Sequence, residues 1–117
     1  MNTIDVIYIE DDEIEAELFT LGLSTRGVNV LVVSDGDIQS LNDPAYQAAK
    51  AVFIDFWIGV TNGLDVARAL RDRGDNRPFF LLTAGENPNP ALLRELNITY
   101  LQKPASYGKI AETLSNL

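Results

Sequence analysis

Four short segments of this sequence carry residues that could share one piece of chemistry. Glu10-Asp11-Asp12-Glu13 follows the apolar run Val6-Ile7-Tyr8-Ile9, and Asp55 follows Val52-Phe53-Ile54. Thr83-Ala84 follows Phe79-Phe80-Leu81-Leu82, and Lys103-Pro104 follows Tyr100-Leu101-Gln102. Taken singly, each has a bland reading. An acidic run after a strand is usually a solvated turn or a helix cap, and a lone Asp there is usually a turn residue. Thr-Ala and Lys-Pro are uninformative as dipeptides. The specificity lies in all four closing successive strand candidates. If the first and third strands are neighbours, roughly 5 Å apart, Glu10, Asp11 and Asp55 meet at one rim. Three carboxylates so close repel one another unless one is protonated or a cation sits among them. Hard oxygen ligands of this kind suit Mg2+.

The elements that would position these residues alternate along the chain. Strands are predicted at 4–9, 29–33, 51–54, 79–82 and 99–102, each rich in β-branched, aromatic or aliphatic residues. Most read as nearly continuous apolar runs, which suits parallel strands covered on both faces. Between them lie helical patterns. Ile14, Leu18 and Leu21 recur at helix spacing, with Asp12 placed to cap the start and Gly27 to end the turn. Leu64, Ala67 and Leu70 repeat the pattern between Asn62-Gly63 and Gly74, and Ile110 and Leu114 mark the last helix. The second helix is weakly written, because 37–42 runs into Asp43-Pro44, which should break or restart it. The fourth should be short, about 91–97, after Pro88 and Pro90. Such alternation predicts a doubly wound α/β domain over residues 1–117, with right-handed crossovers and helices on both faces of a five-stranded parallel sheet. The flavodoxin-like order 2-1-3-4-5 is the natural candidate and places ligands at the carboxyl ends of the strands.

Composition narrows the chemistry. With 117 residues, 46% of them hydrophobic and 22% charged, the chain fits one globular domain. Its apolar runs are too short to cross a bilayer and the start does not resemble a secretory signal, so a cytoplasmic location is expected. With no cysteine and no histidine, the chain offers no thiolate chemistry, no Ser-His triad and no phosphohistidine of its own. The net charge of −8 argues against direct nucleic-acid binding and against anionic membranes.

The four segments together resemble the receiver domain of response regulators, the phosphoacceptors of two-component signalling, over essentially the whole chain. Ile7-Tyr8-Ile9-Glu10-Asp11-Asp12 is similar to the family's acidic pair after strand one. Ala51-Val52-Phe53-Ile54-Asp55 with Asn62-Gly63-Leu64 is similar to its phosphoacceptor strand, loop and third helix. Leu81-Leu82-Thr83-Ala84 and Tyr100-Leu101-Gln102-Lys103-Pro104 resemble its strand-four and strand-five signatures. The resemblance implies that Asp55 is the nucleophile, attacking a phosphohistidine or a small phosphodonor to form an acyl phosphate. It implies Mg2+ held by Glu10, Asp11, Asp55 and the backbone carbonyl of Trp57, with Glu10 acting through water. Lys103 would meet the phosphoryl oxygens. Thr83 would donate its hydroxyl to the arriving group, small Ala84 would leave room for it, and Tyr100 would turn inward as the switch aromatic. The Lys103-Pro104 bond is often cis in the family. Two of Glu10, Asp11 and Asp12 must form the pair; Glu10 directly follows the apolar run, so Glu10 and Asp11 are taken and Asp12 is left to cap the helix.

The partners implied are a histidine kinase or a histidine phosphotransfer protein. A homodimer through the fourth helix, fifth strand and fifth helix is compatible with the resemblance. The sequence departs from the family there: the stretch 85–97 is compressed, and Asn97-Ile98 stands where a Gly-Ala pair is common. Gly59 also replaces a frequent proline in the loop after Asp55. The chain is expected to catalyse only its own phosphorylation and hydrolysis and to turn over no metabolite. Three other readings compete. A receiver fold kept purely as a docking module, silent toward phosphate, would not need the full set of site side chains that this chain carries. An aspartate-nucleophile phosphatase would want a second acid, which Asp55-Phe56-Trp57 lacks. A flavodoxin-like cofactor binder would want a phosphate-cradling loop where this chain places four acids.

Overall fold

A computed structural model describes residues 3–35 and 44–117. Its elements in chain order are β1 (Val6–Ile9), α1 (Glu13–Ser24), β2 (Val30–Val33), α2 (Pro44–Ala48), β3 (Ala51–Asp55), β4 (Trp57–Ile58), β5 (Thr61–Asn62), α3 (Gly63–Asp72), β6 (Phe79–Thr83), α4 (Pro90–Leu96), β7 (Ile98–Gln102) and α5 (Tyr107–Ser115). Five strands form one parallel sheet in the order β2-β1-β3-β6-β7. Counting the long strands alone, this is the 2-1-3-4-5 order expected from sequence. Every residue of β1, β3 and β6 is buried, whereas the edge strands β2 and β7 are partly exposed. The unbroken apolar runs of the central strands thus follow from cover on both faces.

Alternation along each strand divides the core in two. On one face Ile7, Ile9, Val52, Ile54, Phe79 and Leu81 pack with Leu64, Ala67 and Leu70 of α3 and Leu93 and Leu96 of α4. On the other, Val6, Tyr8, Phe53, Phe80 and Leu82 pack with Phe19 and Leu23 of α1 and Ile110 and Leu114 of α5. Phe19 is central to this second layer, its ring centroid 4.1 Å from that of Tyr8 and 5.3 Å from that of Phe53.

Helix α1 corrects the apolar pattern read from sequence. Ile14, Leu18 and Leu21 do recur on one stripe, but they are 70%, 55% and 61% exposed, while Ala16, Phe19 and Leu23 face the core. The helix carries two overlapping apolar stripes. The one holding the aromatic ring wins because Phe19 fills the space between Tyr8 and Phe53, which no aliphatic side chain of α1 could fill as completely. Elsewhere the punctuation is as expected. Asp12 caps α1 by accepting from the amides of Ile14 (2.9 Å) and Glu15 (3.1 Å). Asn62 caps α3, and Gly74 closes it at φ +90°. Helix α4 starts at Pro90 rather than 91 and ends at Asn97, which adopts φ 55°, the left-handed conformation a glycine would otherwise supply there. Of the weak second helix, 37–42 lies outside the described residues; the chain does restart as a helix at Pro44.

Sequence gave no sign of the small antiparallel pair formed by β4 and β5 beyond Asp55. It turns through Gly59 at φ +61° and delivers the chain to Gly63. A Cβ on Gly63 would collide with the Asp55 carbonyl oxygen and stand 3.1 Å from Ile54 Cγ2. The Gly63 amide also donates to the Phe56 carbonyl at 2.7 Å. We therefore expect Gly63→Ala to lower stability by about 1–3 kcal/mol, the usual cost of overpacking. A urea midpoint equal to that of the wild type would show that the Asp55 backbone can retreat freely.

Candidate functional site

The parallel register brings the strand ends together. Ile9 is opposite Ile54, so Glu10 and Asp55, each one residue further on, emerge side by side. Asp55 is opposite Leu82, Leu82 opposite Leu101, and Thr83 opposite Gln102. Backbone bonds carry the ladder past the strands: Glu10 N–H to Val33 O at 3.0 Å, Phe56 N–H to Leu82 O at 2.9 Å and Lys103 N–H to Thr83 O at 2.7 Å. Lys103 and Pro104 are joined by a cis peptide bond.

At this rim the Lys103 ammonium meets three carboxylates. It contacts Asp55 Oδ1 directly, lies 2.9 and 3.0 Å from the two oxygens of Glu15, and is 3.7 Å from Glu10 Oε2. Asp55 and Glu10 are buried, at 7% and 2% exposure. Glu10 accepts from the Tyr8 hydroxyl (3.2 Å) and from the Asp12 amide (3.1 Å). One oxygen each of Glu10, Glu15 and Asp55 lies within 4.8 Å of the others. Asp11 is exposed and stands beside this triad, its Oδ2 3.5 Å from where a Cβ on Gly59 would be. It therefore faces the turn that follows Asp55. Trp57 opens β4 two residues beyond Asp55 and is 47% exposed, its ring edge-on to Phe56. Thr83 is fully buried, and its hydroxyl has no hydrogen-bond partner among the described residues. Ala84 next to it is exposed, and Tyr100 is turned outward on β7 at 45% exposure.

Glu15 is the residue that the sequence reading missed. Its signal was present but pointed elsewhere. Asp12-Glu13-Ile14-Glu15 has the spacing of a capping box, in which the fourth residue bonds back to the amide of the first. Here Glu10 already takes the Asp12 amide. Glu15 is thereby left to reach Lys103.

Crowding and burial set the electrostatics. Burial pushes the Glu10 carboxyl up to about 8, with the Asp12 amide opposing and the neighbouring acids adding to the rise. Burial likewise raises Asp55 above the usual carboxylate range, although Lys103 pulls it back. For Lys103 burial favours the neutral amine, but Asp55 and Glu15 outweigh it and hold the ammonium charged. Burial and Glu10 keep the Tyr8 hydroxyl protonated, as a donor. Several carboxylates thus share one ammonium, and this oxygen-rich set fits a small divalent cation such as Mg2+.

A pH dependence follows for Glu10. A carboxyl whose folded pKa is raised contributes stability that is fully present below its unfolded value. That contribution is lost as pH rises through the folded value. For Glu10 the window runs from about 4.5 to about 8. In EDTA the wild type should therefore lose thermal stability relative to Glu10→Gln across that window. Mg2+ affinity of the wild type should rise over the same window, because the carboxyl must shed its proton to bind. A wild-type-minus-variant difference that is flat with pH would contradict this.

No protein-family model matches the chain. Response regulator MprA of Mycobacterium sp. (strain KMS) is 31% identical over 84 residues, which is 72% of this chain and 36% of that protein. The chain thus spans 36% of the length of the curated relatives it matches. Among solved structures, a response regulator receiver domain (CheY-like) from Methylobacillus flagellatus superposes with a TM-score of 0.81 at 25% identity, covering 98% of each chain. A response regulator receiver domain protein from Clostridium thermocellum gives a TM-score of 0.81 at 18% identity, covering 97% of this chain and 92% of that one. This last likeness is one of fold.

Proposed function

Because this chain belongs to the receiver domains of two-component response regulators, we propose that it accepts a phosphoryl group on Asp55 in the presence of Mg2+. The observation that carries this reading is a buried Asp55 at the end of a central strand, in contact with Lys103 and one strand from the unpartnered hydroxyl of buried Thr83. A buried hydroxyl without a partner is uncommon. A phosphoryl oxygen on Asp55 would supply one.

Chemically, a carboxylate oxygen of Asp55 attacks phosphorus in line. The P–N bond of a phosphohistidine breaks, its electron pair returns to the imidazole, and Asp55 becomes an acyl phosphate. The chain has no histidine, so the donor is a histidine kinase, a histidine phosphotransfer protein or a small phosphodonor. Mg2+ held by Glu10, Asp11, Asp55 and the Trp57 carbonyl would neutralise charge on the phosphoryl oxygens. Lys103, just past the end of the edge strand β7, stabilises the same oxygens. The protein turns over no metabolite and works in the cytoplasm. Among the described residues no helix is long and apolar enough to cross a membrane.

Mass measurement after incubation with acetyl phosphate, or with a phosphorylated histidine-containing partner, tests the proposal. One phosphoryl group should appear in Mg2+ but not in EDTA, and hydroxylamine should remove it, as it does an acyl phosphate. No adduct from either donor would leave a docking module as the function.

Readout would pass through Thr83 and Tyr100, which belong to adjacent strands β6 and β7. Thr83→Ala should still be phosphorylated, but the NMR signals around Tyr100 should shift far less than in the wild type. Equal shifts in both proteins would remove Thr83 from the switch.

A further inference from the structure

Lys103 is engaged in a way that the phosphoacceptor reading does not require. An ammonium has three protons to donate. Two of them meet Glu15, at 2.9 and 3.0 Å, and Asp55 takes up the remaining contact. No proton is left for a phosphoryl oxygen. A group arriving on Asp55 can engage Lys103 only if the Glu15 or Asp55 contact loosens.

Glu15 is held for this task by the start of α1. Asp12 fixes the first turn by capping the amides of Ile14 and Glu15, and Glu10 occupies the amide that Glu15 would otherwise bond. The Glu15 side chain is 41% exposed, while those of Lys103 and Asp55 are 19% and 10% exposed. The Glu15 end of the network is thus the end that water can loosen.

We propose that Glu15 is a positioning residue that restrains the Lys103 ammonium and limits how much of its charge reaches a group on Asp55. This deepens the phosphoacceptor reading and rests on it. Glu15 acts in two opposed ways. Its negative charge at the rim favours a divalent cation. The same charge, together with its hold on Lys103, opposes an anionic phosphoryl group. A residue that served only to hold α1 in place would not divide the two.

The test compares wild type, Glu15→Gln and Glu15→Asp by three measurements. The first is the 15N signal of the Lys103 ammonium in Mg2+-free protein, resolvable because the chain has only three lysines, Lys50, Lys103 and Lys109. The second is Mg2+ affinity read from the fluorescence of Trp57, the one tryptophan. The third is the rate of labelling by acetyl phosphate at saturating Mg2+. Glu15→Gln should move the Lys103 signal and weaken Mg2+ binding. It should speed labelling by up to about fivefold, the range of a part-exposed ion pair. Glu15→Asp, which keeps the charge but loses the reach, should bind Mg2+ nearly as the wild type does yet label faster. An unmoved Lys103 signal in Glu15→Gln overturns the inference, as does labelling that is unchanged or slower in that variant. If the wild type takes no label at all, the phosphoacceptor reading fails instead. The ammonium signal and the Mg2+ titration then still decide whether Glu15 holds Lys103.

Discussion

Asp55→Asn protein should gain no phosphoryl group from acetyl phosphate in Mg2+, at any time at which the wild type is fully labelled. The amide oxygen is a poor nucleophile, and an acyl phosphate forms only on a carboxylate oxygen. The rim carries other acids, so the experiment discriminates. Glu10 is buried and both of its oxygens already accept hydrogen bonds, one from the Tyr8 hydroxyl and one from the Asp12 amide, which leaves it a weak acceptor for phosphorus. Glu15 is tied to Lys103 through both oxygens. Asn should be accommodated without loss of fold, since it is isosteric and Lys103 keeps its bonds to Glu15. Residual labelling of Asp55→Asn at the wild-type rate would mean that another rim carboxylate is the acceptor.

Lys103→Ala should cut the labelling rate by about 10²–10³-fold, the usual effect of deleting one pre-placed charge or donor at a reacting oxygen. Mg2+ binding should survive and tighten, because Glu10, Glu15 and Asp55 lose the ammonium they share and become free to meet a metal. The Mg2+-free protein should be less stable than the wild type, since removing one partner leaves buried carboxylate without compensation. Midpoints measured in EDTA and in Mg2+ separate the two effects. Labelling at the wild-type rate would remove Lys103 from the chemistry.

The sheet was legible because strand ends and chemistry coincide. Asp55, Thr83 and Lys103 each follow an apolar run, and a parallel sheet places such positions at one rim. The order of the strands then makes Glu10 and Asp55 neighbours, as the observed register shows. Surface context was harder to read. Ile14, Leu18 and Leu21 have the same spacing as a buried stripe, and only the fit of Phe19 against Tyr8 and Phe53 decides which side of α1 is inward. The β4–β5 pair was hidden because two-residue strands leave no periodicity to detect. Glu15 was hidden for a different reason. Its place in a capping-box spacing gave it a local role, and a long-range bond to a residue 88 positions away has no signature in a single sequence.

The shared rim of Glu10, Asp55, Thr83 and Lys103 makes one chemical statement, and locating the adduct tests it most directly. Wild-type protein phosphorylated in Mg2+ is reduced with borohydride, which converts an acyl phosphate of Asp to homoserine, and the peptides are mapped by mass. Homoserine at position 55 alone is the expected result. Homoserine at Glu10's neighbours Asp11 or Asp12, or its absence from a fully labelled protein, would contradict the assignment.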